Sequence, residues 1–382
     1  MGSYRIGVLL GDDIGPEIVP QAVATLAAAA EDSPGLTLQF VDFPVGAHAY
    51  KTTAYTMPPG TLEGLAELDG WILGPLGHAA YPRDNPNALN PHPIIRRHFD
   101  LYANIRPSRS LPGVKALHEG VDLVIVRENN EGMQPDRNMH KGGGEFMPTP
   151  DTALSTRVIT RRGSDRIARA AFEIARARHK ARLASGQTHP SGERPRVTII
   201  HKRTVFKLTC GLFVDTATEV ASEFPDIDVN DHQVDSFAMA LVVTPQRFDT
   251  ILTTNMFGDI LSDLAAGLVG GLGLAPALNV GERYAMAQAT HGSAPDIAGR
   301  NIANPYAIIM SAQMLLAWLG RRNSDRAALL AAQKIDQAVH LTLGQDRVRT
   351  VDIGGNATTD EFGRAIINRI RSSPNILTAK NA

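Results

Sequence analysis

Two rhythms of apolar residues run along this chain. Arg5–Leu10, Gly70–Leu73 and Val121–Val126 are short and nearly continuously apolar, the pattern of strands covered on both faces. Leu36–Phe43, Arg196–His201 and Thr250–Thr254 read as further strands. Pro16–Ala30 and Ser164–Ala184 carry the longer spacing of amphipathic helices. Pro16 suits a first helical turn, and Glu17 beside it suits the positive helix end. Strand and helix alternate, which predicts an α/β architecture. Gly142–Pro150 reads as a break, Thr152–Thr160 as an exposed ribbon, and Ser185–Pro195 as a polar insertion with little constraint.

A length of 382 residues predicts two domains. The formal charge of −1 and the lack of a basic stripe argue against a nucleic-acid partner. Arg161-Arg162 and Arg321-Arg322 read as solvated helix ends. With Cys210 as the sole cysteine, no disulfide forms within the chain, and a reducing cytoplasm is expected. Cys210 itself is expected to be buried as a small apolar residue. The N-terminal residues lack the pattern of a signal peptide or a myristoylation site, and no apolar run approaches the roughly 18 residues that span a membrane.

The segment Asn255–Ala266 holds the most specific chemistry. Asp259 and Asp263 are four residues apart, so on a helix they share a face, among Phe257, Ile260, Leu261 and Leu264. Like charges there repel unless a cation lies between them. Oxygen-only ligation suits Mg²⁺ or Mn²⁺, with Asp235 a further candidate ligand. A solvated acidic helix edge is the plain alternative. Gly270-Gly271-Leu272-Gly273 lacks the spacing of a dinucleotide fingerprint, so a standard Rossmann site is not expected.

Several separated segments then agree. Gly11-Asp12-Asp13-Ile14-Gly15-Pro16-Glu17 resembles the N-terminal turn of the isocitrate and isopropylmalate dehydrogenases. Arg96, Leu101–Pro107 and Val126–Asn129 resemble their substrate-carboxylate segments, and Val197–Lys202 the strand that ends in their catalytic lysine. Asn255–Ala265 resembles their metal helix. His291–Gly299 with Ile302–Pro305 resembles their adenine loop. The resemblance implies the isopropylmalate dehydrogenase-like fold: two domains (1–101 plus 270–382, and 102–269) on one continuous mixed sheet, with an arm near 137–162.

The resemblance also implies roles. Arg96, Arg106 and Arg127 would each offer a guanidinium fork to a substrate carboxylate. Asp259 and Asp263, with Asp235 from a second copy, would hold the metal. Lys202 would accept or relay the hydroxyl proton. Asp296 would bind the ribose hydroxyls of NAD and repel the 2′-phosphate of NADP. His291 and Asn304 would help frame the adenine, Ile297 fits the NAD type, and Gly292, Ser293, Ala294 and Pro295 complete the cofactor-binding loop. A homodimer with shared sites and a small hydroxy-acid substrate are expected.

Five departures qualify this. Gln134 stands where the family has a tyrosine that protonates the enolate after decarboxylation, and an amide has no proton to give. Tyr81, His140 or water are the substitutes considered. Thr204 replaces an Asn two residues past Lys202, and Gln288 replaces a Glu three before His291. In the specificity segment, Asn90 and His92 are polar where isopropylmalate enzymes are apolar, and Gly77–Tyr81 lacks the usual threonine. A substituted (2R)-malate with a polar substituent is therefore expected. The alternatives are a dehydrogenase of tartrate, malate or a phosphonate analogue that does not decarboxylate, and a non-catalytic regulatory subunit.

Overall fold

A computed structural model describes residues 2–83, 85–134, 139–189 and 191–372. The apolar runs form β1 (Gly2–Leu9), β2 (Leu36–Asp42), β3 (Gly70–Leu73), β4 (Ala103–Arg109) and β5 (Asp122–Glu128). They continue as β6 (Glu145–Thr149), β7 (Thr152–Ser155), β8 (Arg196–His201), β9 (Asp228–Gln233), β10 (Thr250–Thr253), β11 (Leu278–Val280) and β12 (Ala285–Ala287). Ten of them form one sheet in the order β2-β1-β3-β12-β11-β4-β5-β10-β8-β9. The wings β2-β1-β3-β12 and β5-β10-β8-β9 are parallel within themselves. β11 and β4 join them through antiparallel pairs. The continuous mixed sheet is as the resemblance implies.

Helices cover both faces, which is why the strands read as unbroken apolar runs. Within β5 the faces still alternate: Val124 and Val126 pack under helix Arg161–Ala184, while Leu123 and Ile125 pack with Phe237, Phe257 and Leu261 on the other side. The other wing packs its largest core beneath helices Gly15–Glu31, Tyr306–Arg322, Arg326–Gly344 and Thr359–Ser372.

Four expectations need correction. Gly142–Pro150 is not simply a break, because β6 lies inside it and pairs with β7 as an exposed antiparallel ribbon. The ribbon stops at Ser155 rather than Thr160, since Thr160 instead caps the next helix, its Oγ1 accepting the Gly163 N–H at 2.9 Å. That cap starts the helix at Arg161 rather than Ser164. Finally, the insertion after Ala184 is anchored. Buried His189 shares a hydrogen bond with the Asp122 carbonyl at 2.9 Å. Beneath it, Arg178 and Arg182 both bind Asp122 and the fully buried Asp249. Cys210 is buried as expected. Residues 137 and 138 of the expected arm lie outside the described residues.

Candidate active site

The parallel wing β5-β10-β8 ends at one rim, the usual place for reactive groups in an open α/β sheet. Arg127 is the penultimate residue of β5, and Asn255 opens the helix Asn255–Val269 that follows β10. The Arg127 Nε and Nη2 both donate to Asn255 Oδ1, at 3.0 and 2.6 Å, and its Nη1 donates to Asp259. From the antiparallel neighbour β4, Arg106 Nη1 donates to Ser262 Oγ at 2.7 Å and to Asp259 Oδ1 at 3.1 Å. It also lies 3.8 Å from Asp263 Oδ1. The helix approaches this closely because residue 258 is glycine. A Cβ there would fall 2.7 Å from Arg127 Cγ and 3.0 Å from Thr253 Cγ2.

The two aspartates share a face one turn apart, as the spacing predicts. Burial would raise the Asp259 carboxyl, but Arg127 and Arg106 outweigh it and hold it below the usual range. Burial pushes the Asp263 carboxyl up, Arg106 opposes, and the charge of Asp259 adds to the rise. A cation between them would relieve this repulsion, and the hard oxygen donors would suit a divalent ion. Among the described residues, no three acidic, histidine or cysteine side chains converge within one chain. Asp235 is elsewhere, at the start of helix Val234–Val243, and accepts from Lys202 Nζ at 2.6 Å. That bond holds the Asp235 carboxyl below its usual value. The Lys202 N–H is itself tied to Cys210 Sγ at 3.2 Å.

Arg96 and His92 come from helix Pro91–His98, which Asn90 caps by accepting the His92 N–H at 3.1 Å. Arg96 Nη2 donates to Gln288 Oε1 at 2.7 Å, and Gln288 Nε2 lies 2.6 Å from His92 Nε2. Asn129, two residues past Arg127, completes the group, its Oδ1 3.4 Å from Arg96 Nη1. Three arginines are thus largely buried around one rim of the sheet, and Arg106 and Arg127 converge on Asp259.

Gln134 is half-buried in the loop after β5. Two residues earlier, Gly132 bridges to Val158 and faces Asn255, where an added Cβ would lie 3.1 Å from Asn255 Cβ. The loop therefore starts against the aspartate helix. Tyr81 is buried, and its O–H donates to Asp12 Oδ2 at 2.5 Å. Burial and Asp12 both raise that hydroxyl well above its ordinary value, so it holds its proton. His140 is exposed. Thr204 Oγ1 donates to Gln233 at 3.0 Å.

The loop from His291 to Asn304 lies at the other wing, beyond β12. Buried Ser293 ties it to the Gly11–Gly15 turn, its carbonyl accepting the Ile14 N–H at 3.1 Å. Ala294 takes a left-handed φ of 47°, and Pro295-Asp296-Ile297 follows as one tight turn with Asp296 exposed. Gly292 is open, with nothing near an added Cβ. His291 Nδ1 contacts the Gly292 carbonyl at 2.9 Å, while its Nε2 is buried without a partner. Burial lowers its proton affinity, which favours the neutral ring. Asn304 bonds the Tyr306 N–H and Asp352, both at 3.0 Å. Asp352 faces the same corner, and the sequence pattern gave no sign of it.

Paired carboxylates on a helix, three buried arginines and a strand-end lysine define the class: an oxidoreductase acting on an anionic hydroxy acid. The isocitrate/isopropylmalate dehydrogenase description matches residues 5–366. The chain belongs to that family. It is 42% identical to the isocitrate/homoisocitrate dehydrogenase of Thermus thermophilus over 370 residues, 97% of this chain and 99% of the relative. It is 40% identical, with the same coverage, to the 3-isopropylmalate dehydrogenase of Methanothermobacter thermautotrophicus. The crystal structure of isocitrate dehydrogenase from Methylococcus capsulatus superposes with a TM-score of 0.81 at 36% identity, covering 96% of this chain and 99% of that one. Among the described residues, no helix is long and apolar enough to cross a membrane.

Proposed function

We propose that this enzyme oxidises and decarboxylates a (2R)-malate bearing a polar substituent at C3, using NAD and Mg²⁺ or Mn²⁺. The convergence of Arg106 and Arg127 on Asp259 carries the reading. In the chain alone the guanidinium charge sits where a metal and a dicarboxylate would compete for the same partners. Asp259 and Asp263 would hold the ion, which when bound draws electron density from the substrate hydroxyl. NAD would supply the hydride acceptor for C2. Arg96, Arg106 and Arg127 orient the carboxylates, and Lys202, paired with Asp235, takes or relays the hydroxyl proton. Asp296, exposed beside the open Gly292, supports NAD over NADP.

Asp235 requires a second copy to reach the metal. In support, Met239, Val242 and Val243 on helix Val234–Val243, with Ile260 on the aspartate helix, are exposed apolar residues. A homodimer joined through these helices covers them and brings the Lys202–Asp235 pair to the neighbouring site. The division into 1–101 plus 270–382 and 102–269 is supported by the apolar clusters, which follow those boundaries except at Leu111, Val114 and Val280. Expression in the cytoplasm fits the single reduced thiol.

The test is a panel of isocitrate, homoisocitrate, 3-isopropylmalate, malate and tartrate with NAD and Mn²⁺, scored for NADH and CO₂. Both products are expected, and both vanish on chelation. NADH without CO₂ sinks the decarboxylation step, and Gln134→Tyr then tests whether the missing acid is the cause. The second reading, a regulatory subunit, is favoured by Gln134 alone. NADH production by the purified chain excludes it.

A further inference from the structure

Lys202 presents its Nζ from a stretch with little packing of its own. It follows the last residue of β8, and every residue from Arg203 to Leu208 is exposed. Arg203 reaches Asp215, and Thr204 reaches Gln233, each at 3.0 Å, but these contacts are solvated and weak. Two buried side chains hold the backbone instead. Cys210 Sγ accepts the Lys202 N–H at 3.2 Å, and His201 Nδ1 accepts the Arg203 N–H at 3.1 Å. Cys210 is 0% and His201 3% exposed, so water does not compete for these bonds. The Lys202 carbonyl accepts the N–H groups of Val205 and Phe206 at 3.0 and 2.8 Å. The peptide groups on both sides of the lysine Cα are thereby fixed. The His201 bond also sets the tautomer. A main-chain N–H can only donate, so Nδ1 carries no proton, and the Nε2–H donates to Asp231 Oδ2 on β9 at 2.8 Å. A side-chain acceptor that takes the N–H two residues on is the geometry of an Asx turn, made here by an imidazole.

We propose that His201 and Cys210 are positioning residues for Lys202: the imidazole Nδ1 and the thiol sulfur latch the turn so that Nζ is already aimed at the substrate hydroxyl. This rests on the reading above that Lys202 takes or relays the hydroxyl proton, and adds what sets its aim. Both side chains act through the lysine backbone.

The test separates the two ring nitrogens. An asparagine places Oδ1 near the position of Nδ1, whereas a glutamine reaches the position of Nε2. Turnover is measured with the acid of the panel that gives NADH fastest, and Kd values for Mn²⁺ and NAD by calorimetry. His201→Gln and Cys210→Ala lower kcat by about tenfold or more and leave both Kd values unchanged. His201→Asn and Cys210→Ser, which keep an acceptor for the turn, recover most of the loss. A His201→Gln enzyme that keeps its kcat while His201→Asn loses it shows that the ring serves Asp231 alone, and overturns the inference. Equal kcat values for Cys210→Ala and Cys210→Ser overturn it too, and this pair decides alone if the His201 variants do not fold. Lys202→Gln is the control. Wild-type turnover in that variant removes the lysine from the chemistry and the inference with it. A dead Lys202→Gln beside unimpaired His201→Gln and Cys210→Ala overturns the inference and spares the lysine. Should wild type turn over no acid of the panel, the proposed reaction fails, and hydrogen exchange across residues 201–206 decides the latch: faster exchange in His201→Gln than in His201→Asn supports it, and equal exchange overturns it.

Discussion

Replacing Gly258 by alanine adds one methyl group where the aspartate helix crosses β5 and β10. The added carbon would stand 2.7 and 2.8 Å from Arg127 Cγ and Cβ, and 3.0 Å from Thr253 Cγ2. Carbon atoms in comfortable contact are about 3.5–4.0 Å apart, so the helix must withdraw by roughly 0.8 Å. Neither neighbour yields easily. Thr253 is fully buried in β10, and Arg127 is held at Nε and Nη2 by Asn255 on the same helix. Overpacking of this kind costs about 1–3 kcal/mol. The larger effect is catalytic, because Asp259 follows in sequence and moves with the helix. A displacement near 1 Å in a reacting group costs about 100-fold. The expected result is a lower urea midpoint, a kcat/KM reduced by about 10- to 100-fold, and a Mn²⁺ requirement shifted to higher concentration. A folded Gly258→Ala enzyme with unaltered kcat/KM and Mn²⁺ dependence would refute the claim that this contact sets the position of Asp259.

Other perturbations separate the remaining parts. Glu128 is buried beside Glu131, and burial with that neighbouring charge raises its carboxyl to about 7. A raised carboxyl contributes stability that is fully present below its unfolded value near 4.5 and is lost as pH rises through about 7. The loss is on the order of 3 kcal/mol. Urea midpoints between pH 5 and 8 are expected to fall in wild type and to fall less in Glu128→Gln; parallel curves would show that Glu128 does not titrate there. Asp296→Lys is expected to raise the KM for NAD about tenfold or more and to lower that for NADP, and steady-state rates with unchanged preference would remove Asp296 from the ribose site. Met239→Asp with Val243→Asp is expected to give a folded monomer, seen by sedimentation, with turnover below about 1% of wild type if Lys202 and Asp235 serve the neighbour; an active monomer would show that one chain completes its own site.

The strands with clear apolar runs, the helix that follows β10 and the shared face of Asp259 and Asp263 were legible because local spacing determines them. β9 was not, since Asp228-Val229-Asn230-Asp231-His232-Gln233 is a polar edge strand exposed over much of its length. β11 and β12 are three residues each, too short for any period to show. The ribbon strand β6 is hidden by its glycine-rich approach and by Pro148, tolerable there because the strand is an edge. In the site, Asn90 reads as a substrate contact, and its Oδ1 also caps the helix that follows, a role that depends on where the chain turns. The pairing of Gln288 with His92 is absent from any local pattern, because it depends on the helix Pro91–His98 packing through Ile95 in one cluster with Trp71 of β3 and Met286 of β12.

An unbroken main-chain ladder runs from β2 to β9, so the halves of this molecule are not beads on a string. No plane exists along which they can part without rupturing backbone pairing at β11 and β4. Any relative motion of the two wings would have to bend or twist those two central strands. The same strands carry Arg106 and pair Asn279 with Asn104, so such a flexure would pass through one of the arginines proposed to hold the substrate.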